Sequence, residues 1–309
     1  MMNDTNNQGH FNRKESLFRN WITQDGTAGI SGIGGFTPEK NRYHLYVSLA
    51  CPWANRTLIM RNLKGLQDFI PTTVVHWRMG RESWHFKAEN GAEKDPLYDA
   101  QFLSELYHRV DPHYDEQGGV VTVPLLWDKK NNTVVSNESS EIIRMFNSAF
   151  DEVGALKGDY YPENLRSEID AMNDRLYNTI NNGVYRCGFA TTQEAYDLAY
   201  FELFETLDFL ENYLKDKHFL IHNQLTEADI RLFVTLVRFD AVYYSHFKCN
   251  KKQIRNYPEI WRYLRELYAK PEFQSTINMF HIKHHYYESH KNLNPSGIVP
   301  IGPEIDFSL

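Results

Sequence analysis

Between Arg42 and Leu49 apolar and polar side chains alternate. Tyr43, Leu45, Val47 and Leu49 share one face, and Arg42, His44, Tyr46 and Ser48 share the other. A period of two is that of a β-strand. The period then lengthens: Ala54, Leu58, Ile59 and Leu63 recur at helical spacing. Pro52 suits the first turn of that helix, where its missing N–H does no harm, and Gly65 stops it. "TTVVHW" over Thr72–Trp77 predicts a second strand. Residues 80–118 are polar and then helical around Phe102, Leu103, Leu106 and Val110. "VTVPLLWD", a polar "KKNN" turn and "TVVS" predict a β-hairpin. Asn137 or Ser136 can cap a helix through Ser140–Phe146, with Glu138 and Glu141 in its first turn.

The order is β-α-β, an insertion, then β-β-α, which is the thioredoxin arrangement. After Phe150 the strand signals largely stop. Amphipathic stretches near 163–182, 192–214, 226–243, 257–269 and 271–287 predict an all-helical second domain. Within it "LTEADI" has the form of a capping box, with Asp229 answering Thr226 as a structural helix start. The expected organisation is an extension over 1–40, a thioredoxin-like α/β domain over 41–150, an all-α domain over 151–290, and a Pro- and Gly-rich tail over 291–309. The glycines at 29, 32, 34 and 35 follow no apolar strand, and Pro38 stands where a helix should open. A surface loop is expected there rather than a phosphate cradle.

The 309 residues are 42% hydrophobic and 24% charged, the balance of an ordinary globular protein. A net charge of -7 disfavours nucleic acid and anionic membrane as partners. No apolar run is long enough to span a bilayer, and the polar N-terminal stretch lacks the core of a signal peptide. Three scattered cysteines, Cys51, Cys187 and Cys249, argue against a disulfide framework and for a cytoplasmic protein. "HIKHHYYESH" carries His281, His284, His285 and His290, but no matching Cys or acidic ligand is evident nearby. A solvated or substrate-facing helix is expected there, not a metal site.

The chemistry is sharper at "SLACPWANRT". Cys51 falls where a strand ends and a helix begins, and there the unpaired N–H groups and the positive end of the helix dipole favour a thiolate. Its pKa is expected below the free value of about 8.5, which would make it a sulfur nucleophile. A buried cysteine otherwise serves as a small hydrophobe, and that role is expected for Cys187 and Cys249. Pro124 interrupts the pattern of the third strand. It is either an edge or bulge proline, or a cis proline that turns the N–H and C=O of Val123 toward a peptide-like thiol. Glu138 and Ser139 stand at a predicted helix start, where a carboxylate ligand is favoured; Glu138 could meet an ammonium group, or the pair could simply cap the helix.

The strings "YVSLACPWA.RTLI", "NESSEIIRMFN", "NNGVYRCGFATTQEAY" and "NPSGIVPIGP" resemble those of the Xi class of glutathione transferases, the glutathionyl-hydroquinone reductases. The similarity runs from about Trp21 to Pro303. It implies an enzyme that uses glutathione as co-substrate to reduce glutathionyl-hydroquinones through a mixed disulfide on Cys51. It also implies glutathione binding by Trp84, Val123, Glu138 and Ser139, and aromatic binding with proton transfer by Tyr185 and Tyr286, Tyr287 being a close rival. A homodimer is implied as well. Trp84 and Tyr185, taken alone, are equally explained as core residues.

Two positions depart from the family pattern. Asn55 stands where histidine is usual, so a neutral amide replaces a titratable ring one helical turn from Cys51. "HWRMGRESWHF" brings Arg78 and Arg81 near the expected thiol groove, where they could bind a glutathione carboxylate or suit a different small thiol. The alternatives on the same scaffold are a glutaredoxin-like or Omega-type thiol transferase, acting on mixed disulfides or dehydroascorbate, and a non-enzymatic binding protein.

Overall fold

The computed structural model describes residues 5–309. They form two compact units: Lys14–Asp159 with Thr276–His285, and residues 5–13 with Tyr160–Ser275 and Tyr286–Leu309. The extension expected over 1–40 is thus divided between them, and the division also falls inside one helix, α11 (Met279–Ser289).

The first unit contains strands β1 (Tyr43–Val47), β2 (Thr72–Val74), β3 (Leu125–Asp128) and β4 (Thr133–Ser136), with helices α1 (Pro52–Leu63), α2 (Leu103–Val110) and α3 (Ser139–Ser148). The sheet order is β2-β1-β3-β4. β1 and β2 are parallel with Leu45 opposite Thr72, and β1 and β3 are antiparallel with Tyr43 opposite Asp128. The parallel pair follows from the α1 crossover, because parallel neighbours cannot be joined by a tight turn.

The alternation in β1 suggests one wet face, yet all five residues are buried. The insertion covers the second face. The Tyr46 hydroxyl donates to Asp95 at 2.7 Å, and Asp95 also accepts the amides of Leu97, Tyr98 and Ala100. His44 Nε2 lies 2.8 Å from Thr73 Oγ1. A strand buried on both faces tolerates polar side chains only when each finds such a partner.

Arg42, just before β1, grips Asp128 with two N–H groups at 3.1 and 2.7 Å, and its other amine reaches Thr37 and Glu39. Removing one member of so buried a pair would cost about 3–5 kcal/mol. The same guanidinium donates to the Gly35 carbonyl. The glycine-rich stretch has no regular element of its own and is held at this end by that bond. Further upstream, Asn20 N–H donates to Val135 O at 2.9 Å and Phe18 stacks on Tyr114, so residues 18–20 run beside β4.

The second unit is helical: α4 (Arg166–Leu176), α5 (Gly183–Phe189), α6 (Gln193–Tyr213), α7 (Glu227–Arg238), the short α8 (Tyr244–His246), α9 (Pro258–Tyr268), α10 (Pro271–Gln274) and the end of α11. Every residue of α7 is buried. Its start is the expected capping box between Thr226 and Asp229, and the buried Glu227 takes Arg231 and Asn173 as donors at 2.9 and 2.8 Å. Two wide turns, Tyr177–Asn181 and Phe239–Tyr243, interrupt the helical regions with i→i+5 bonding. Periodicity alone foresees neither these turns nor α5. Such turns insert a residue and re-aim the side chains that follow, often at functional sites.

Candidate active site

Cys51 is the residue before α1, in extended conformation, with Pro52 as the first helical residue. Its amide donates to Ser48 O at 3.1 Å, and its carbonyl accepts the Asn55 amide at 3.0 Å, which starts the helix. The side chain is 8% exposed, and Sγ donates to the carbonyl of Val123 at 3.4 Å. The Val123–Pro124 peptide is cis, as one of the two sequence alternatives required. Two residues far apart in the chain, Cys51 and Val123, therefore meet at the start of α1.

Asn55 is fully buried and donates to Thr276 Oγ1 at 2.6 Å. Its amide joins α1 to the segment that leads into α11, and it carries no titratable group. Arg56, the next residue, lies over the Trp53 ring at 4.5 Å.

Glu138 and Ser139 open α3, but the cap differs from expectation. Asn137 and Ser136 do not cap the helix; Glu138 does, accepting the Ser140 amide at 3.0 Å and the Ser140 hydroxyl at 2.8 Å. The reason is competition. Asn137 Oδ1 takes the Phe18 amide and its Nδ2 reaches Thr122, while Ser136 Oγ accepts the Glu138 amide. Ser16 adds a third donor to Glu138 at 3.1 Å. Burial opposes the charge on Glu138, but the Ser140 amide and hydroxyl, the Arg56 charge and Ser16 outweigh it and hold the carboxyl below its usual range. Ser139 is buried beside it.

Trp84 is 5% exposed and stacks on His285 with ring centres 4.8 Å apart. His285 Nδ1 lies 2.7 Å from the Trp77 carbonyl, which can only accept, so Nδ1 carries the proton. Arg78 and Arg81, in the loop before Trp84, are exposed.

In the helical unit three phenols form a chain. The Tyr185 hydroxyl, from α5, lies 2.6 Å from that of Tyr286, which lies 2.8 Å from that of Tyr243. Tyr287 turns elsewhere, its hydroxyl 2.5 Å from Ser245 Oγ. The geometry therefore separates the two rivals: Tyr286 joins Tyr185 and Tyr287 does not. Burial first, then the neighbouring phenols, push Tyr243 and Tyr286 well above their ordinary pKa, against the opposing charge of Arg238. Both stay protonated at neutral pH, and in each contact either hydroxyl can be the donor. Tyr243 is the member that sequence reasoning missed. It ends the wide turn at Phe239–Tyr243, and no local spacing announces where that turn aims it.

The histidines of α11 take separate partners: His281 bonds to the Asn90 carbonyl, His284 stacks on Phe280 and His285 holds Trp77. His290, just after the helix, pairs with His246. Among the described residues no group of three or more metal ligands converges. Cys187 and Cys249 are buried, and Cys249 Sγ points to the carbonyls of Phe247 and Val184.

The family described as the glutathione S-transferase N-terminal domain matches residues 50–149, and its C-terminal counterpart matches residues 193–266. The glutathionyl-hydroquinone reductase YqjG of Escherichia coli K12 is 57% identical over 296 residues, covering 96% of this chain and 89% of its own. Its glutathione-bound structure superposes with a TM-score of 0.92 over 95% of this chain and 94% of that one, at 56% identity. The glutathionyl-hydroquinone reductase PcpF of Sphingobium chlorophenolicum is 51% identical, covering 96% of this chain and 90% of its own. The Xi glutathione S-transferase of Phanerochaete chrysosporium is 55% identical with a TM-score of 0.91, over 97% of this chain and 99% of that one. With a CPWA thiol at a helix start, a cis proline behind it and this degree of likeness, the chain belongs to the Xi-class glutathionyl-hydroquinone reductases of the glutathione S-transferase family.

Proposed function

We propose that this chain reduces glutathionyl-hydroquinones to hydroquinones with glutathione as co-substrate, through a mixed disulfide on Cys51. The single observation that carries the assignment is the Cys51 thiol, at the start of α1 and 3.4 Å from the Val123 carbonyl, in a chain more than half identical to two such reductases. A helix start stabilises the thiolate needed for attack. The backbone of Val123 can pair with an extended peptide as an added strand would. Glu138 and Ser139, at the start of α3, suit the charged end of a γ-glutamyl group, and Trp84 supplies an apolar wall.

The thiolate attacks the sulfur of the conjugate. An S–S bond forms, the aromatic C–S bond breaks, and its electron pair stays on the ring carbon. Tyr185, bonded to Tyr286, gives that carbon a proton. A second glutathione thiol then surrenders its proton to the phenolate and attacks the mixed disulfide, which releases oxidised glutathione and restores Cys51. One conjugate and one glutathione thus become hydroquinone and glutathione disulfide. No second protein thiol takes part.

The thiol chemistry is assigned to residues 41–150 and the aromatic substrate to residues 151–290, with the protein acting as a homodimer in the cytoplasm, where small thiols are kept reduced. Purified protein and its Cys51→Ala variant, given glutathionyl-hydroquinone and glutathione, test the chemistry. Release of hydroquinone that needs Cys51 supports it. Reduction of mixed disulfides without hydroquinone release would assign the chain to thiol transfer instead, and no turnover at all would leave a binding protein. Light scattering of the purified chain tests the dimer.

A further inference from the structure

The segment before the sheet unit has a place in the helical one. Thr191 N–H donates to Gly9 O at 3.1 Å and Thr192 Oγ1 donates to Gln8 O at 2.9 Å, which ties residues 8–9 to the start of α6. Phe11 then stacks on Tyr185 with centres 6.3 Å apart. Two residues later the Arg13 guanidinium lies 4.8 Å from the centre of the Tyr185 ring. Its Nε donates to Asn182 Oδ1 at 3.0 Å.

Asn182 is the residue before α5, and Tyr185 lies in the first turn of that helix. One helix start therefore supplies both the anchor for the cation and the ring beneath it. Tyr185 is 8% exposed and Arg13 is half-buried, so little water screens the charge from the ring. A flexible ammonium could not satisfy both contacts so well; a guanidinium is planar and can donate sideways while its face covers a ring.

We propose that Arg13 is a positioning residue for Tyr185, holding its ring against the Tyr286 hydroxyl and stabilising the phenolate that remains when Tyr185 gives up its proton. The inference rests on the assignment of Tyr185 as proton donor. A cation over a neutral phenol gains modestly, and the attraction grows when the ring becomes anionic. The interaction is therefore stronger in the transition state than in the resting enzyme, which is the condition for it to raise kcat.

Steady-state kinetics with glutathionyl-hydroquinone and glutathione test this in Arg13→Gln, Arg13→Lys, Tyr185→Phe and the Arg13→Gln/Tyr185→Phe double variant. Arg13→Gln is expected to lower kcat about tenfold with the KM for glutathione nearly unchanged. Arg13→Lys, which keeps the charge but cannot also make the sideways bond to Asn182, should recover part of that loss. In the Tyr185→Phe background Arg13→Gln should have no further effect, because the residue acts through the phenol. A wild-type kcat in Arg13→Gln, or a lysine variant no faster than the glutamine one, would overturn the role of the charge while Tyr185→Phe remains slow. Full activity in Tyr185→Phe would instead remove the proton donor itself, and this inference with it. Thermal unfolding of each variant separates a folding defect from a kinetic one: a slow glutamine variant that also melts early, and that lysine does not rescue, counts against the proposal.

Discussion

Cys51 Sγ and the Val123 carbonyl are 3.4 Å apart, with the thiol donating. The contact joins the start of α1 to the residue before the cis Pro124. A carbonyl is a partner for a thiol but not for a thiolate, so ionisation would release this bond. Cys51→Ser keeps a donor of similar shape but loses the proposed nucleophile. It is expected to lower hydroquinone release by at least about 10³-fold. Intact-mass measurement after incubation with the conjugate should show a glutathione adduct on the wild type and none on the variant. An adduct on the serine variant would place the reactive thiol elsewhere.

The phenol chain makes two adjacent tyrosines unequal. Tyr286→Phe removes the hydroxyl that joins Tyr185 to Tyr243, whereas Tyr287→Phe removes only a bond to Ser245. The first is expected to slow kcat about a hundredfold, within the range of general-acid effects, and the second less than about threefold. Tyr243→Phe should resemble Tyr286→Phe in direction. Equal losses at 286 and 287 would contradict the geometric assignment.

Glu138 is both helix cap and candidate ligand. Glu138→Gln keeps the shape but loses the charge that Ser140, Arg56 and Ser16 hold in place. Loss of the cap charge should cost about 1 kcal/mol at pH 7 and raise the KM for glutathione. The folded carboxyl titrates below its unfolded value, so its contribution is present above the unfolded pKa and disappears as pH falls through the folded one. Urea melts of both proteins should therefore differ at pH 7 and converge in acid. A constant difference across that range would mean that the charge is not the source.

His44 supplies a second pH dependence. Burial first, then the Lys129 charge, lowers it from 6.5 to about 4. The unfolded chain takes up this proton before the folded one does, so stability from His44 is complete above pH 6.5 and is lost as pH falls toward 4. At pH 5 the loss relative to pH 7 is about 2 kcal/mol. His44→Asn, which cannot titrate, should lack this part of the acid sensitivity in denaturant melts. If the variant and wild type lose stability in parallel between pH 7 and 5, His44 is not the sensor.

Local pattern was enough for much of this protein. Period-two alternation located β1, helical spacing with Pro52 located α1, "KKNN" located the hairpin turn, and Thr226 with Asp229 located the start of α7. Each of these is decided within a few residues by backbone sterics, capping or the spacing of apolar side chains, so it can be read along the chain. The Cys-Pro junction was legible for the same reason. What required the tertiary structure depends on partners distant in sequence. Glu138 became the cap because Phe18 and Thr122 occupy Asn137. Tyr46 is buried because the insertion closes over it, and His44 because it lies against Thr73 of β2 and the Tyr46 ring. Tyr243 joined the phenols because a wide turn re-aimed it, and Arg13 met Tyr185 through a bond to Asn182. Such contacts arise only when the chain folds back on itself, and several side chains of similar chemistry could have filled each place. Packing chooses among them, and no local period records that choice.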